Sequence, residues 1–202
     1  YFLPPLFARL RELAPTMAMH VRSEPREQFS LLESGEVHFV ISPFEPSSNT
    51  SQLHSARLSG LEFGILMRSD HPLASGELTI ERYTAASHGL VSLTGKGGSR
   101  VEQDLRTSGL ISSEQSLHYP LMLSSFTSIA EFCATSDIVY HLPLRFAESL
   151  ATGRDLVVRS DIPDIQREVT TVNLYWHERF HKDPMCKWVR YQIRELFVQA
   201  PA

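Results

Sequence analysis

Residues 25–42 read PREQFSLLESGEVHFVIS, and this stretch decides the fold class. Its first half places Leu31 and Leu32 on a short apolar helix face, and Gly35 suits the C-terminal cap of that helix. Its second half, residues 37–41, is a mostly apolar run of the kind that forms a buried strand. Short apolar strands that alternate with helices are typical of α/β domains with a parallel sheet.

The same alternation continues on both sides of this stretch. Residues 3–13 have helical periodicity, Met17, Met19 and Val21 have strand periodicity, and residues 61–67 alternate as a strand. After residue 87 the pattern begins again, with predicted strands at 88–93, 138–142 and 156–159 and predicted helices at 100–107, 126–134 and 145–150. A last strand (169–176) and helix (184–198) close the chain. If they return to the first of two α/β units, two connections join the units.

Composition narrows the possible classes of protein. The chain has 202 residues, of which 42% are hydrophobic and 21% charged, an ordinary globular balance for one large domain or two small ones. The net charge is −4 and the basic residues are dispersed, so we expect no direct nucleic-acid contact. No stretch reaches the roughly 18 apolar residues that span a membrane. Cys133 and Cys186 are expected to be reduced thiols in the hydrophobic core, and the protein is expected to be cytoplasmic.

Two local patterns resemble ligand sites, but each has a simpler explanation. His177, His181 and Asp183 lie close in sequence, yet Asp183 suits a helix N-cap and no fourth ligand is evident, so we expect no metal. Residues 94–99, TGKGGS, lack the lysine spacing of a phosphate loop. The helix that follows them still offers free N–H groups, to which a carboxylate could bind. No catalytic triad or Cys–His pair can be assembled, and we expect neither catalytic residues nor a cofactor.

Five blocks, in order along nearly the whole chain, resemble the regulatory domain of bacterial LysR-type transcription regulators. One block alone would be weak evidence, whereas five in order are strong. The similarity is to the branch that contains the nodulation-gene and salicylate-responsive regulators. The blocks are LPPLFARLRELAP (3–15), SGEVHFVI (34–41), DHPLA (70–74), SDIVYHLPLR (136–145) and WHERFHKDPMCKWVR (176–190).

The resemblance implies an α/β fold of the type-2 periplasmic-binding-protein kind, with two Rossmann-like subdomains joined by two crossover hinges. The first subdomain would comprise residues 1–86 and 168–202, and the second residues 87–167. The chain starts without an initiator methionine and at the first regulatory-domain helix. We therefore expect that the first strand of the domain and a winged helix-turn-helix DNA-binding domain precede Tyr1 and are absent here.

The resemblance also implies a function, which is sensing and not catalysis. A small-molecule effector, expected to be aromatic or a carboxylate, would bind a cleft between the subdomains and alter DNA binding and transcription by the full-length protein. The regulatory domains would form a homodimer, and the full-length protein a tetramer. Contact with DNA would be made only through the missing N-terminal domain, with no membrane involved.

In open α/β sheets, ligands bind beyond the carboxyl ends of the strands. Ser42 and Pro43 end one predicted strand, and the resemblance places a cleft residue at Ser125 and an apolar wall at Phe126. His141 stands where family members often carry a small residue, so it narrows the pocket or adds a hydrogen-bond donor. The predicted effector-binding residues are Ser42, Pro43, Ser92, Thr94, Ser125, Phe126, His141 and Asn173. His88 is interpreted as a polar hinge residue, with the cleft mouth as the alternative.

Two other functions remain open on the sequence. A periplasmic solute-binding protein that feeds a transporter has the same fold, so the fold alone does not separate it from a regulator. An enzyme on a similar two-domain fold, such as a dehydratase or deaminase, would need a convergent acid–base pair with shifted pKa values, and no such pair is visible.

Overall fold

The computed structural model describes residues 2–46, 50–92, 99–161 and 170–198, and the chain divides into two units. Unit 1 consists of Tyr1–Leu61 and Val169–Ala202, and unit 2 consists of Glu62–Glu168. The C-terminal strand and helix therefore return to the first unit, so two connections join the units.

Strands and helices follow one another along the described ranges. In chain order they are α1 (Leu3–Leu13), α2 (Gln28–Ser34), β1 (Val40–Ser42), β2 (Leu53–Leu61), β3 (Phe63–Arg68), α3 (Ile80–Thr84), β4 (Ser87–Val91), α4 (Arg100–Thr107), β5 (His118–Leu123), α5 (Ile129–Thr135), β6 (Ile138–Pro143), α6 (Leu144–Ala151), β7 (Leu156–Arg159), β8 (Thr170–His177) and α7 (Pro184–Phe197). Both α1 and α4 have the predicted bounds. None of the described helices is long and apolar enough to cross a bilayer.

Unit 1 is built on a three-stranded sheet in the order β1-β8-β2, in which β8 pairs antiparallel with both neighbours. The apolar faces of α1 and α7 cover it, with Leu6 and Leu10 packed beside Ile193 and against Leu174 of β8. The helix α7 begins as predicted, because the Asp183 carboxylate accepts the Cys186 N–H at 2.7 Å.

The predicted strand at residues 17–21 is wrong as a hydrogen-bonded element, because these residues form no sheet ladder. The alternation that suggested the strand is nevertheless real. Met17 and Met19 pack against the unit 1 core, whereas the residue between them is exposed. The alternation of buried and exposed residues thus identified an extended segment. It did not show whether that segment pairs with a neighbouring strand.

Unit 2 is built on a five-stranded sheet in the order β5-β4-β6-β3-β7. β4 is parallel to β5 and β6, whereas β3 is antiparallel to β6 and β7. Side chains alternate across this sheet, so each face has its own core. Ile65 and Val139 face α3 and α4, while Leu66, Tyr140 and Leu142 face α5 and α6.

The first boundary between the units differs from the boundary that was predicted from the sequence. The predicted boundary lay between residues 86 and 87, whereas the structure places residues 62–86 in unit 2. The reason is β3, which lies between β6 and β7 and is hydrogen-bonded to both. Its alternating pattern in the sequence was visible, but a pattern does not show which sheet a strand joins.

Candidate functional site

The carboxyl ends of β4, β5 and β6 lie at one edge of the unit 2 sheet, because these three strands are parallel. Four of the predicted site residues lie at or near these ends: Ser92 follows β4, Ser125 and Phe126 follow β5, and His141 lies within β6, two residues before its end. We call these four residues the carboxyl-edge group. Its position is the one at which open α/β sheets bind ligands.

Ser92 continues the β4–β5 pairing beyond the last strand residue. Its backbone N–H donates to the Leu123 carbonyl at 2.8 Å, and the residue is buried. The helix that follows begins at Arg100, and the Ser99 hydroxyl accepts the Glu102 N–H at 3.4 Å. The Ser99 hydroxyl therefore already accepts one of the N–H groups to which a ligand carboxylate could bind. Thr94 and residues 95–98 of the glycine-rich loop lie outside the described residues.

Ser125 and Phe126 lie in a turn, because α5 begins at Ile129 and not at residue 126 as predicted. The exposed Ser125 hydroxyl donates to the Thr127 hydroxyl at 3.2 Å and accepts the Thr127 N–H at 3.4 Å. Phe126 packs edge-on against Phe146, with the ring centroids 5.5 Å apart, a separation that is usual for aromatic pairs. The turn therefore offers an exposed hydroxyl beside an anchored aromatic ring.

His141 lies on the face of β6 that is directed towards α3. Its Nδ1 is 3.3 Å from the Tyr83 hydroxyl, and the Phe63 ring lies 5.3 Å from its ring centroid. The side chain is only partly exposed, and burial, together with the nearby His88 imidazole, lowers the pKa of His141 to about 4. The ring is therefore neutral at ordinary pH and has one N–H to donate.

His88 is a core residue of unit 2 and not the polar hinge residue that was predicted. It is 2% exposed and lies within β4. Its Nε2 is 2.8 Å from the Tyr83 carbonyl, and its ring meets the Tyr83 ring edge-on at 4.7 Å. Burial lowers the pKa of His88, so this ring is also held neutral and donates through Nε2.

The remaining predicted site residues belong to unit 1. Ser42 ends β1 and is paired in register with Asn173 of β8. The buried Ser42 hydroxyl accepts the Phe44 N–H at 3.1 Å, and the Asn173 amide donates to the Tyr175 hydroxyl at 3.3 Å. Pro43 is exposed. The structure thus brings Ser42 and Asn173 together. The sequence did not show that the strands that carry them, β1 and β8, are paired.

A cluster in unit 1 was missed by sequence reasoning, which had grouped His181 with His177 and Asp183. The structure instead brings together His54, Glu178 and His181, whose potential ligand atoms lie within 4.8 Å of one another. His54 lies in β2 and pairs in register with Trp176 of β8. No sequence signal connects residues 54 and 178, because only the β2–β8 register makes them neighbours.

The nitrogen and oxygen atoms of this cluster that could bind a metal already take part in hydrogen bonds within the protein. The His54 Nε2 is bonded to the Glu178 carboxylate, and the Trp176 indole N–H donates to Nδ1 of His181 at 3.1 Å. A neutral His181 that accepts at Nδ1 carries its proton on Nε2, which leaves that ring no lone pair for a metal. The two imidazoles also stack, with centroids 4.1 Å apart. The cluster is therefore best explained as a bonded surface group that supports the turn after β8.

The comparisons with known proteins agree with this architecture. A family model described as the LysR substrate binding domain matches residues 1–198. The transcriptional activator NagR of a Ralstonia species is 27% identical over 206 residues, which cover 99% of this chain and 64% of NagR. The regulator SyrM of Rhizobium meliloti (strain 1021) is 29% identical over 192 residues, covering 95% of this chain and 56% of SyrM. The chain thus spans between half and two thirds of the length of these relatives.

Solved structures show the same fold. The regulatory domain of MexT, a transcriptional activator in Pseudomonas aeruginosa, superposes with a TM-score of 0.79 at 26% identity, covering 96% of this chain and 90% of that one. The regulatory domain of CcmR from Synechocystis PCC6803, solved in complex with 2-PG, gives 0.77 at 16% identity, with 100% and 94% coverage. At that identity the likeness shows the fold alone. The predicted α/β fold of the type-2 periplasmic-binding-protein kind is confirmed, and the chain belongs to the family of LysR substrate binding domains.

Proposed function

We propose that this chain is the effector-sensing part of a LysR-type transcription regulator and that it works by binding and not by catalysis. The observation that carries the proposal is the match of the LysR substrate binding domain over residues 1–198. The relatives that match over nearly the whole chain are transcription regulators, which supports the regulator over a solute-binding protein of a transporter.

The carboxyl-edge group is the first candidate for effector contact. Ser125 offers an exposed hydroxyl, Phe126 an anchored aromatic ring, and His141 a neutral imidazole with one N–H. A few polar groups beside an apolar wall suit a small ligand with an aromatic body and a polar or carboxylate end. Ser42 and Asn173 of unit 1 are a second candidate group, because they are adjacent on β1 and β8.

The mechanism we propose is a shift between two states of the regulator. An effector changes the balance between states only by as much as its affinities for them differ. In the full-length protein, the state favoured by the effector would alter DNA binding by a separate N-terminal domain. The net charge of −4 supports this division of labour, since this chain has no excess of basic residues for phosphates. We further propose a cytoplasmic homodimer, and a tetramer at full length.

A thermal-shift screen tests the proposal. The probes are salicylate, benzoate, other aromatic acids, amino acids and inorganic anions. A ligand of the folded state raises the melting temperature in a concentration-dependent way. We expect an aromatic carboxylate to do so, and we expect Ser125→Ala to weaken the shift.

The matched control for this screen is Ser113→Ala. Ser113 is an exposed serine of unit 2 outside the carboxyl-edge group, so this variant should respond to the ligand as the wild type does. If no probe of any class stabilises the wild-type chain, the sensing function is contradicted. Equal weakening by both substitutions would contradict the assignment of Ser125.

A further inference from the structure

Tyr83 has one described partner for its hydroxyl, and that partner is Nδ1 of His141. The side chain is 0% exposed, and burial raises the pKa of the phenol far above its ordinary value, so the hydroxyl keeps its proton. A hydroxyl has one proton and two lone pairs. Donating to Nδ1 satisfies the single proton, whereas accepting from Nδ1 would leave that proton unpaired in the core. The Tyr83 hydroxyl is therefore the donor in this hydrogen bond.

His88 contacts the backbone and the ring of the same tyrosine. Its Nε2 donates to the Tyr83 carbonyl at 2.8 Å, and its ring packs edge-on against the phenol ring at 4.7 Å. The backbone, ring and hydroxyl of Tyr83 are thus each held by an imidazole of unit 2. The hydrogen bonds run in one direction, from His88 to Tyr83 and from Tyr83 to His141.

This chain of hydrogen bonds determines which nitrogen of His141 carries the proton. A neutral imidazole has one N–H, and Nδ1 accepts, so the proton is on Nε2. Nδ1 faces the buried phenol, and the His141 side chain as a whole is partly exposed. Among the described residues Nε2 has no hydrogen-bond partner, so a ligand can receive this hydrogen bond.

We propose that Tyr83, supported by His88, holds His141 as the neutral Nε2–H tautomer, and that His141 thereby selects effectors that present a hydrogen-bond acceptor, such as a carboxylate, to the carboxyl edge of β6. The selection of effectors rests on the function proposed above, but the tautomer does not. Tyr83 is a positioning residue in this arrangement, and His141 is the group that contacts the ligand. A permanent neutral donor recognises an anion without leaving an unpaired cation in the empty site.

The tautomer is tested by long-range ¹H–¹⁵N NMR of histidine-labelled protein without any ligand. The wild type is expected to show a bare, accepting Nδ1 and a protonated Nε2 for His141. Tyr83→Phe removes the donor while retaining the ring, and it should shift His141 towards the Nδ1–H form. Tyr191→Phe, on an exposed tyrosine, is the control and should leave the His141 signals unchanged. A proton on Nδ1 in the wild type, or no response to Tyr83→Phe, would overturn the assignment.

The selection of effectors is tested by calorimetry with salicylate and benzoate as probes. His141→Gln keeps an N–H donor at about the same distance from the backbone, whereas His141→Leu removes it. We expect His141→Leu to weaken binding by about tenfold to hundredfold, as for the loss of a hydrogen bond to a charged acceptor. We expect His141→Gln to retain most of the affinity. Wild-type affinity in His141→Leu contradicts the role of the donor.

The two experiments separate the inference from the proposed function. If wild-type protein binds neither salicylate nor benzoate, the selection of aromatic carboxylates is refuted, while the NMR measurement still decides the tautomer. If the tautomer is wrong but both probes bind, the sensing function stands and the role of Tyr83 is refuted.

Discussion

At the scale of single residues, the chemistry of unit 2 depends on which side chains surround each imidazole. His88 and His141 carry the same group, yet the Nε2 of His88 is hydrogen-bonded to a backbone carbonyl inside the core, whereas the Nε2 of His141 has no partner among the described residues. The difference arises from one residue of α3, Tyr83, which accepts from the first ring through its carbonyl and donates to the second through its hydroxyl.

The buried imidazoles make stability depend on pH in a defined direction. Burial lowers the pKa of His141 from 6.5 to about 4 in the folded protein. Below pH 6.5 the unfolded chain therefore takes up a proton that the folded chain does not, and the free energy of unfolding falls as the pH drops towards 4. Between pH 7 and pH 5 the wild type should lose on the order of 1–2 kcal/mol more stability than His141→Gln.

Urea unfolding of both proteins at the two pH values measures this difference. His71 and His88, whose pKa values are also lowered by burial, are present in both proteins, so their contributions cancel in the comparison. An equal loss of stability in the wild type and in His141→Gln would show that His141 is not shielded as described.

Gly89 is a second residue whose identity is dictated by its neighbour. A Cβ at this position in β4 would lie 2.0 Å from Cζ of Tyr140, which is paired in register on β6 and lies across the glycine. We therefore expect Gly89→Ala to destabilise the protein by about 1–3 kcal/mol through overpacking. The measurement is the urea midpoint.

Gly109→Asn serves as the control for Gly89→Ala. A Cβ at Gly109 would meet nothing within 4 Å, and asparagine tolerates its φ of +70° better than other residues do. This variant should change the midpoint far less. Similar midpoints for Gly89→Ala and the wild type would mean that the Tyr140 ring does not lie over β4.

At the scale of elements, the short helix α3 is the support on which the His141 arrangement depends. It has one and a half turns, Ile80–Thr84, and carries Tyr83 near its end. The Thr79 hydroxyl caps it by accepting the Arg82 N–H at 3.3 Å, and the Tyr83 N–H donates to the Thr79 carbonyl at 3.0 Å. A helix this short has little stability of its own, so its cap and its packing hold it in place.

Removal of this cap should destabilise unit 2 measurably. Thr79→Ala is expected to lower the free energy of unfolding by about 1 kcal/mol, because one N–H of the first turn loses its acceptor. Thr79→Ser keeps a hydroxyl and should remain close to the wild type. Chemical denaturation of the three proteins provides the values, and an alanine variant as stable as the serine variant would rule out the cap.

At the scale of the whole molecule, the placement of β3 decides what the second unit contains. β3 follows β2 along the chain with one residue between them, yet the two strands belong to different sheets. In unit 2 it lies between β6 and β7, so β7 has no other described strand to pair with. A division of the chain after β3 would remove an inner strand of the sheet.

Two fragments test this placement. A fragment of residues 62–161 contains all five strands of the unit 2 sheet and both of its cores, and we expect it to fold and unfold cooperatively in circular dichroism. A fragment of residues 87–167, the division suggested by the sequence, lacks β3 and should show no cooperative transition. Cooperative unfolding of the shorter fragment would contradict the importance of β3.

The sequence by itself determined several of the elements and the family. Helical periodicity predicted α1 and α4 with their observed bounds, Asp183 and Pro184 predicted the start of α7, and the five ordered blocks identified the family. These features are readable because caps and apolar periodicity act between residues a few positions apart in the chain. The rule that ligands bind at the carboxyl ends of strands selected Ser42, Pro43 and His141 without any structure, and the family resemblance selected Ser125. Their contact with an effector remains a proposal.

Only the tertiary structure decided which elements meet. It placed β3 in unit 2, left residues 17–21 without a strand partner, and set Tyr83 between His88 and His141. Periodicity shows which face of an element is buried, but the partner of that face depends on pairing across dozens of residues. The tautomer of an imidazole depends further on one hydrogen bond from such a partner. Those contacts exist only after the chain has closed its long loops, so local sequence patterns carry no record of them.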